Sequence, residues 1–264
     1  MSNSQLANES AIALITKAEI DQQIATAKAF PRDLAQSVKR SLDLATMSQE
    51  VAEACIYALP RGGKNIEGPS VRLAEIIAAS FGNMRSGFRV IDNDGRMITA
   101  QGICHDLETN NAITVEVQRR ITDKNGKTFN DDLQVLTGNA AGAIAYRNAV
   151  FKIIPAAITQ TIYDQVKKVA KGTADTLTPR VTAAIGWFSK KGVTKDQLFV
   201  HLGVTGVNEI DLDMLQTLTG YKQAITQDGM TIDELFNPEP ELTVEEKKAE
   251  MRVDKDGQSK IEMP

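Results

Sequence analysis

Apolar residues recur at helical spacing from about residue 6 to residue 58 of the chain. The pattern is interrupted at residues 30–32, Phe-Pro-Arg, where the proline ends one helix and can open the next. It stops at residues 59–65, Leu-Pro-Arg-Gly-Gly-Lys-Asn, because this stretch is too rich in proline and glycine for regular structure. We therefore expect an N-terminal helical region followed by a basic loop that carries Arg61 and Lys64.

The next segment predicts a helix and then an antiparallel β-meander. The helix covers residues 69–81, with Pro69 near its first turn. Residues 84–92 alternate loosely as a first strand, and Asn93-Asp94-Gly95 is a strong hairpin turn. A second strand places these residues on one face: Ile98, Ala100, Gly102 and Cys104. A third strand does the same with Ile113, Val115, Val117 and Ile121. The sheet is thus expected to have one dry face and one polar face.

Helical spacing returns after the meander. Residues 137–139, Thr-Gly-Asn, lead into a predicted helix of residues 140–154, which opens with the small residues Ala-Ala-Gly-Ala. Such residues permit close approach to a neighbouring element. We expect this helix and the 69–81 helix to pack across the dry face of the sheet. The predicted fold class is therefore α+β, an antiparallel meander packed with helices.

The remainder of the chain predicts a small helical module. Thr178 and Pro179 fit the N-cap and the first helical position of a helix, and Thr194 and Thr231 open capping boxes with Gln197 and Glu234. The predicted helices of the module cover residues 179–191, 194–202 and 211–227, and a further helix, residues 156–171, is predicted before the module.

These elements divide the chain into three parts. Residues 1–172 form the expected core, and residues 173–236 form the small helical module. Residues 237–264 are charged and poor in apolar side chains, so they predict a flexible, disordered acidic tail.

The net charge of −4 hides an uneven distribution. Residues 1–172 carry 20 Lys and Arg against 18 Asp and Glu, whereas residues 173–264 carry 10 against 16. Acidity is therefore concentrated in the C-terminal third, and the core permits a nucleic-acid partner without indicating one by charge alone.

Targeting and metal-binding signals are missing from the sequence. It has no run of 18 apolar residues and no basic-then-apolar N-terminal segment, so we expect a cytoplasmic protein without a membrane partner. Its two cysteines, Cys55 and Cys104, fall on apolar faces away from any CxxC pair or histidine cluster, which predicts core residues. His201 follows Phe199-Val200 and is expected to be structural.

Nucleotide-binding motifs are also missing. Gly62-Gly63-Lys64-Asn65 lacks the spacing and the Ser or Thr of a P-loop, and the Gly138 and Gly142 pair lacks a βαβ unit. We expect no cofactor. A metal-dependent nuclease or DNA-processing enzyme stays open as an alternative, since acidic groups cluster near the sheet. The acidic residues are Asp106, Glu108, Glu116, Asp131 and Asp132, and His105 lies beside Asp106 in the sequence. A phage oligomeric structural protein is a third possibility.

Two stretches carry a resemblance to a known family. Residues 71–83, Val-Arg-Leu-Ala-Glu-Ile to Phe-Gly-Asn, look like the helix and Phe-Gly step before the first strand of the annealing domain. This domain is shared by eukaryotic Rad-fifty-two type proteins and phage recombinases of the RecT and Red-beta type. Residues 140–151, ending Tyr-Arg-Asn-Ala-Val-Phe, look like the helix after its meander. The family has Lys-Arg where this chain has Tyr146-Arg147, so one cation of the family's groove is missing here, and Lys152 is the candidate to replace it.

The resemblance implies ATP-independent binding of single-stranded DNA and annealing of complementary strands in phage recombination, in the cytoplasm of a bacterial host. It implies rings or helical filaments of the chain, and a C-terminal module that meets a phage exonuclease or the host single-strand binding protein. Aromatic residues make up only 5% of the chain, so we expect base stacking to be a minor element, with Tyr146, Phe88 and Phe129 as its few candidates. The candidate DNA contacts are Arg61, Lys64, Arg72, Arg119, Arg120, Tyr146, Arg147 and Lys152.

An acidic tail should repel DNA. We predict that removal of residues 238–264 tightens binding to a single-stranded oligonucleotide at low salt, because eight carboxylates and five cations leave with it. Fluorescence anisotropy measures the change, and an unchanged affinity would contradict the prediction.

Overall fold

Three helices form the N-terminal part of the computed structural model, which describes residues 3–61, 64–123, 125–227 and 229–236. The helices are α1 (Asn3–Ala29), α2 (Leu34–Ala45) and α3 (Gln49–Ala54). The predicted break at Pro31 is confirmed, and Asp33 begins α2 by accepting a hydrogen bond from the Gln36 amide at 3.0 Å.

A β-hairpin follows where a helix end and a basic loop were predicted. Strands β1 (Ile56–Arg61) and β2 (Lys64–Pro69) pair antiparallel, with Ile56 opposite Pro69. The helical prediction up to residue 58 and the loop prediction are therefore wrong. The reason is long-range packing, because Ala58 is fully buried against the C-terminal module.

Helix α4 (Val71–Phe81) begins two residues later than predicted. Pro69 is the last residue of β2, so its predicted place in the first helical turn is wrong. Ser70 occupies the N-cap position, but its hydroxyl donates to the Ala54 carbonyl at 2.6 Å and joins the helix to α3. Gly82, with φ of 62°, ends the helix in a conformation that favours glycine.

The predicted meander is confirmed. Strands β3 (Met84–Asn93), β4 (Met97–Asp106) and β5 (Asn111–Arg120) form an antiparallel sheet in the order β3-β4-β5. All four residues predicted for the dry face of the central strand are buried: Ile98, Ala100, Gly102 and Cys104.

Helix α5 (Asp131–Ile153) crosses the dry face of the sheet and starts nine residues before the predicted helix. Asn130 caps it by accepting a hydrogen bond from the Leu133 amide at 2.9 Å. Asp131 and Asp132 lie in its first turn, where negative charges interact favourably with the helix dipole and stabilise the helix. Thr137 and Gly138, predicted to lead into the helix, therefore lie within it.

Small residues let α5 approach the sheet closely, as predicted. A Cβ atom on Gly102 would overlap the backbone of Ala145, and one on Gly142 would overlap the Phe88 ring. Helix α4 does not share this position. It packs mainly against α2 and α5 and touches the sheet at β3, so the prediction of two helices across the dry face holds for α5 alone.

The C-terminal helices are close to their predicted positions. They are α6 (Ala156–Lys171), α7 (Leu177–Lys190), α8 (Lys195–Leu202), α9 (Leu212–Thr226) and α10 (Ile232–Phe236). The prediction of Thr178 as N-cap and Pro179 as first helical residue is wrong, because Thr176 takes the N-cap position of α7. Both predicted capping boxes are present at Thr194 and Thr231.

Two hydrophobic clusters organise the chain. The first joins α2, α3, α4, α6, β4 and the C-terminal half of α5, and the second lies among α7 to α10. The β1–β2 hairpin connects them, since Ile56 belongs to the first cluster and Ala58 to the second. Arg180 adds an ion pair to Glu53 at 2.7 Å and hydrogen bonds to the last carbonyls of α6.

Two further predictions concern membrane-spanning helices and the acidic tail. Within the described ranges, no helix is both long and apolar enough to cross a bilayer. The predicted acidic tail of residues 237–264 lies outside the described residues.

The contact between α5 and β4 predicts a sharp cost for a single methyl group. Gly102→Ala should lower the free energy of unfolding by about 1–3 kcal/mol, because the added Cβ meets helix backbone that has no rotamer to change. Gly87→Ala on β3 is the control, since nothing lies within 4 Å of its Cβ position. Urea unfolding compares the two, and equal stability would contradict the prediction.

Candidate nucleic-acid interface

A large groove lies between the sheet, α5 and the C-terminal module. Its volume is about 1690 Å³, and its walls come from the start of α4, strands β3 and β5, helix α5 and residues 225–234. Pockets for small molecules span about 300–1,000 Å³. The groove therefore exceeds what one small ligand needs.

Three aromatic side chains line this groove. They are Phe88 on β3, Phe129 before α5, and Tyr146 on α5, and they are the three stacking candidates that the sequence predicts. Phe88 is 45% exposed although its ring packs against Gly142 of α5. Burial raises the pKa of Tyr146, whose hydroxyl lies 3.5 Å from Ser86 Oγ. The groove therefore offers flat apolar faces beside neutral polar groups.

Three arginines line the same groove. Arg72 Nη1 lies 2.6 Å from Glu75 Oε2, and Arg119 Nη2 lies 3.4 Å from Glu234 Oε1. Arg120 is exposed, whereas Arg119 faces the dry side of the sheet. The opposite orientation predicted for these two neighbours is confirmed, yet both reach the groove because β5 is an edge strand.

Carboxylates balance these cations. Glu75, Asp123, Asp233 and Glu234 are the acidic residues of the lining, against three arginines. The described lining is therefore close to neutral, and two of its arginines, Arg72 and Arg119, are paired with carboxylates. An anionic ligand would gain from these arginines only where it displaces the paired carboxylates.

Two predicted contacts lie away from the groove. The Arg147 guanidinium stacks 4.5 Å from the centroid of the Tyr57 ring, and Lys152 is exposed in the last turn of α5. Neither belongs to the lining. Tyr146 faces the groove, and the next residue of a helix points about 100° away, which directs Arg147 toward β1.

Arg61 and Lys64 lie opposite each other at the end of the hairpin, as the last residue of β1 and the first residue of β2. Their predicted place on an irregular loop is wrong. The side chains of both residues lie outside the described part of the chain.

The residues of the nuclease alternative have other partners. Arg32 forms ion pairs with Asp106 and with Glu108, the latter at 2.9 Å, and all three side chains are at least four-fifths buried. Asn83 donates to Glu108 at 2.7 Å. This network ties the start of α2 to the turn after β4, which gives the two carboxylates a structural role.

The other nuclease candidates do not converge either. Glu116 accepts from Gln101 at 3.3 Å on the polar face of the sheet, and Asp131 lies in the first turn of α5. Among the described residues, no group of three or more His, Cys, Asp or Glu could hold a metal ion. Cys55 and Cys104 are fully buried, which confirms the prediction that both are core residues. Burial raises the pKa of each thiol to about 12.

Sequence patterns missed the apolar and C-terminal walls of the groove. Leu133 and Leu136 come from the early turns of α5 that were not predicted as helix, and Leu136 is 62% exposed. Residues 225–234 come from a module predicted to be separate. The signal for the early turns was Asn130 before Asp131, an N-cap followed by an acidic first turn.

No family model matches the chain, and no curated protein or solved structure was found to be similar to it. The chemistry of the groove must therefore be inferred from its aromatic faces, its arginines and its carboxylates.

The Arg32 network predicts a loss of stability in acid. Burial alone would raise the pKa of Glu108, but hydrogen bonds from Asn83 and Arg32 and the Arg32 charge lower it overall. The stabilisation is present above the unfolded value of about 4.3 and is lost as pH falls through the lower folded value. Urea unfolding at several pH values should show it.

Glu108→Gln should flatten that pH dependence and lower stability at neutral pH, since it removes one of the two charged partners of the buried Arg32. Glu116→Gln, an exposed residue of β5, is the control. A Glu108→Gln protein that loses stability in acid as steeply as the unmodified chain would contradict the prediction.

Proposed function

We propose that the protein binds single-stranded DNA in this groove and anneals complementary strands without ATP or covalent chemistry. The observation that carries the proposal is the convergence of three aromatic and three arginine side chains on one groove. They come from separate segments: Arg72 from α4, Phe88 from β3, Arg119 and Arg120 from β5, and Phe129 and Tyr146 from around α5.

A single strand matches this combination of groups. Guanidinium groups neutralise phosphates, and aromatic rings stack on bases without regard to sequence. A groove built for a duplex would have no use for aromatic faces, because paired bases hide their own faces in the stack. The size and lining of the groove thus favour an extended strand over a nucleotide cofactor.

Annealing needs no energy source beyond base pairing. A protein that holds strands in an extended form shortens the search for complementary partners, and duplex formation supplies the free energy. Because the groove lining is nearly neutral, each protomer would bind weakly. Repetition of identical grooves along a ring or filament would add these weak contacts together.

Exposed apolar surface supports such self-association. In the sheet β3-β4-β5, strand β3 is an edge and carries the residues Val90 and Ile91, which are exposed and outside the groove lining. Val135 is likewise exposed on α5 and outside the lining. Edge strands with apolar side chains are sites where chains associate, which fits rings or helical filaments of the chain.

The C-terminal module offers a surface for a protein partner. Trp187 lies between two lysines, with Lys191 Nζ at 5.8 Å and Lys222 Nζ at 5.9 Å from its ring. An aromatic ring flanked by cations suits an acidic segment that ends in an apolar residue. The proposed partners are a phage exonuclease or the single-strand binding protein of the bacterial host.

The proposal predicts that the purified protein speeds pairing of complementary oligonucleotides without ATP and forms large oligomers on DNA. Binding should fall steeply with salt. Fluorescence energy transfer between labelled strands measures annealing, and electron micrographs of the same sample show the assemblies. A monomer that does not speed annealing would overturn the proposal, and magnesium-dependent degradation of the strands would favour the nuclease alternative.

A groove variant sharpens this prediction. Arg120→Gln should weaken binding and reduce the slope of log affinity against log salt by about 0.7, the value for one phosphate of a single strand. Arg40→Gln is the control, because Arg40 is an exposed cation on α2 outside the groove lining. Equal slopes for the two variants would place the bound strand elsewhere.

A further inference from the structure

The last described segment of the chain forms one wall of the groove. It begins at Gly229, where a Cβ atom would lie 2.5 Å from that of Ala140, so the segment passes directly against α5. It ends in α10, where Leu235 is fully buried and Phe236 packs edge to face with Phe188 at 5.7 Å. The helical module therefore holds this wall from behind.

Glu234 projects from that wall toward the sheet. Its Oε2 accepts hydrogen bonds from the Thr231 amide at 2.7 Å and from the Thr231 hydroxyl at 3.0 Å, which completes a capping box. Its Oε1 lies 3.4 Å from Arg119 Nη2. The cap fixes the carboxylate at one end, so its other oxygen is held beside the guanidinium.

A carboxylate beside an arginine presents the same chemistry as a phosphate. Both offer two anionic oxygens to the guanidinium fork. We propose that Glu234 competes with a DNA phosphate for Arg119, so that the Glu234 carboxylate restrains the groove until a phosphate displaces it from the guanidinium. This inference rests on the proposed function and adds a regulatory contact to the same site.

The geometry suits a contact that opens. The Arg119 side chain is 17% exposed and that of Glu234 is 48% exposed, so solvent screens the pair. The Arg32 pairs, in contrast, are more deeply buried and shorter. Asp233 also lines the groove and adds a second negative charge to the same wall. A phosphate that approaches Arg119 therefore meets a weakly held competitor.

Glu234→Gln tests the competition with little structural change. Glutamine fills the same place in the other capping box of this chain, where Gln197 faces Thr194, so the cap of α10 is retained. We expect the variant to bind a single-stranded oligonucleotide about three- to tenfold more tightly at low salt, since one charge at contact distance is removed. The gain should shrink at high salt.

Glu209→Gln is the matched control. Glu209 belongs to the same module and accepts hydrogen bonds from the amide and the hydroxyl of Thr205, but it lies outside the groove lining. The control therefore changes net charge by the same amount in a comparable local setting. If both variants tighten binding equally, general charge repulsion explains the gain and the inference is overturned.

Arg119→Gln completes the test. If Glu234 acts through Arg119, the effect of Glu234→Gln should fall below about twofold in the Arg119→Gln background. A full effect in that background would overturn the inference. Failure of the proposed function gives a different result, because the unmodified protein, Glu234→Gln and Glu209→Gln would then all show no salt-sensitive binding of the oligonucleotide.

Discussion

The backbone contact between α5 and β4 is the constraint on which the groove depends. Gly102 lets the helix rest on the central strand at Ala145, and Gly142 accommodates the Phe88 ring. This crossing sets the rotation of α5 about its own axis. Rotation in turn places Tyr146 in the groove and directs Arg147 toward Tyr57. If α5 lay further from the sheet, the orientations of Tyr146 and Arg147 would not be fixed by this contact.

The same helix links the two parts of the molecule that build the groove. Its C-terminal half contributes Ala149 and Val150 to the first hydrophobic cluster. Its N-terminal half meets the C-terminal module at Ala140 and Gly229. The groove is therefore an interface between the sheet layer and the helical module. Neither part would enclose a strand alone.

Local sequence patterns predicted the helices and strands better than they predicted which elements pack against each other. The strand alternation around Ile98, the small residues of α5 and the capping boxes are signals within a few residues, and they were confirmed. The hairpin β1–β2 was missed, because its strands are stabilised by contacts with α9, about 150 residues away. For the same reason, the sequence predicted only some of the residues that line the groove. Residue type indicated Arg119 and Tyr146, but the Glu234 wall depends on tertiary packing.

Under the proposed function, the charge balance within the groove explains how an acidic chain can bind an anionic ligand. A strand held by many uncompensated cations would not release its bases for pairing, and annealing requires both capture and release. Arginines with carboxylates nearby bind phosphate reversibly, because each phosphate gained frees an acidic group. Under the proposed function, the Arg119–Glu234 and Arg72–Glu75 pairs of the groove lining are the sites of this exchange. Weak contacts of this kind become effective when many protomers act on one strand.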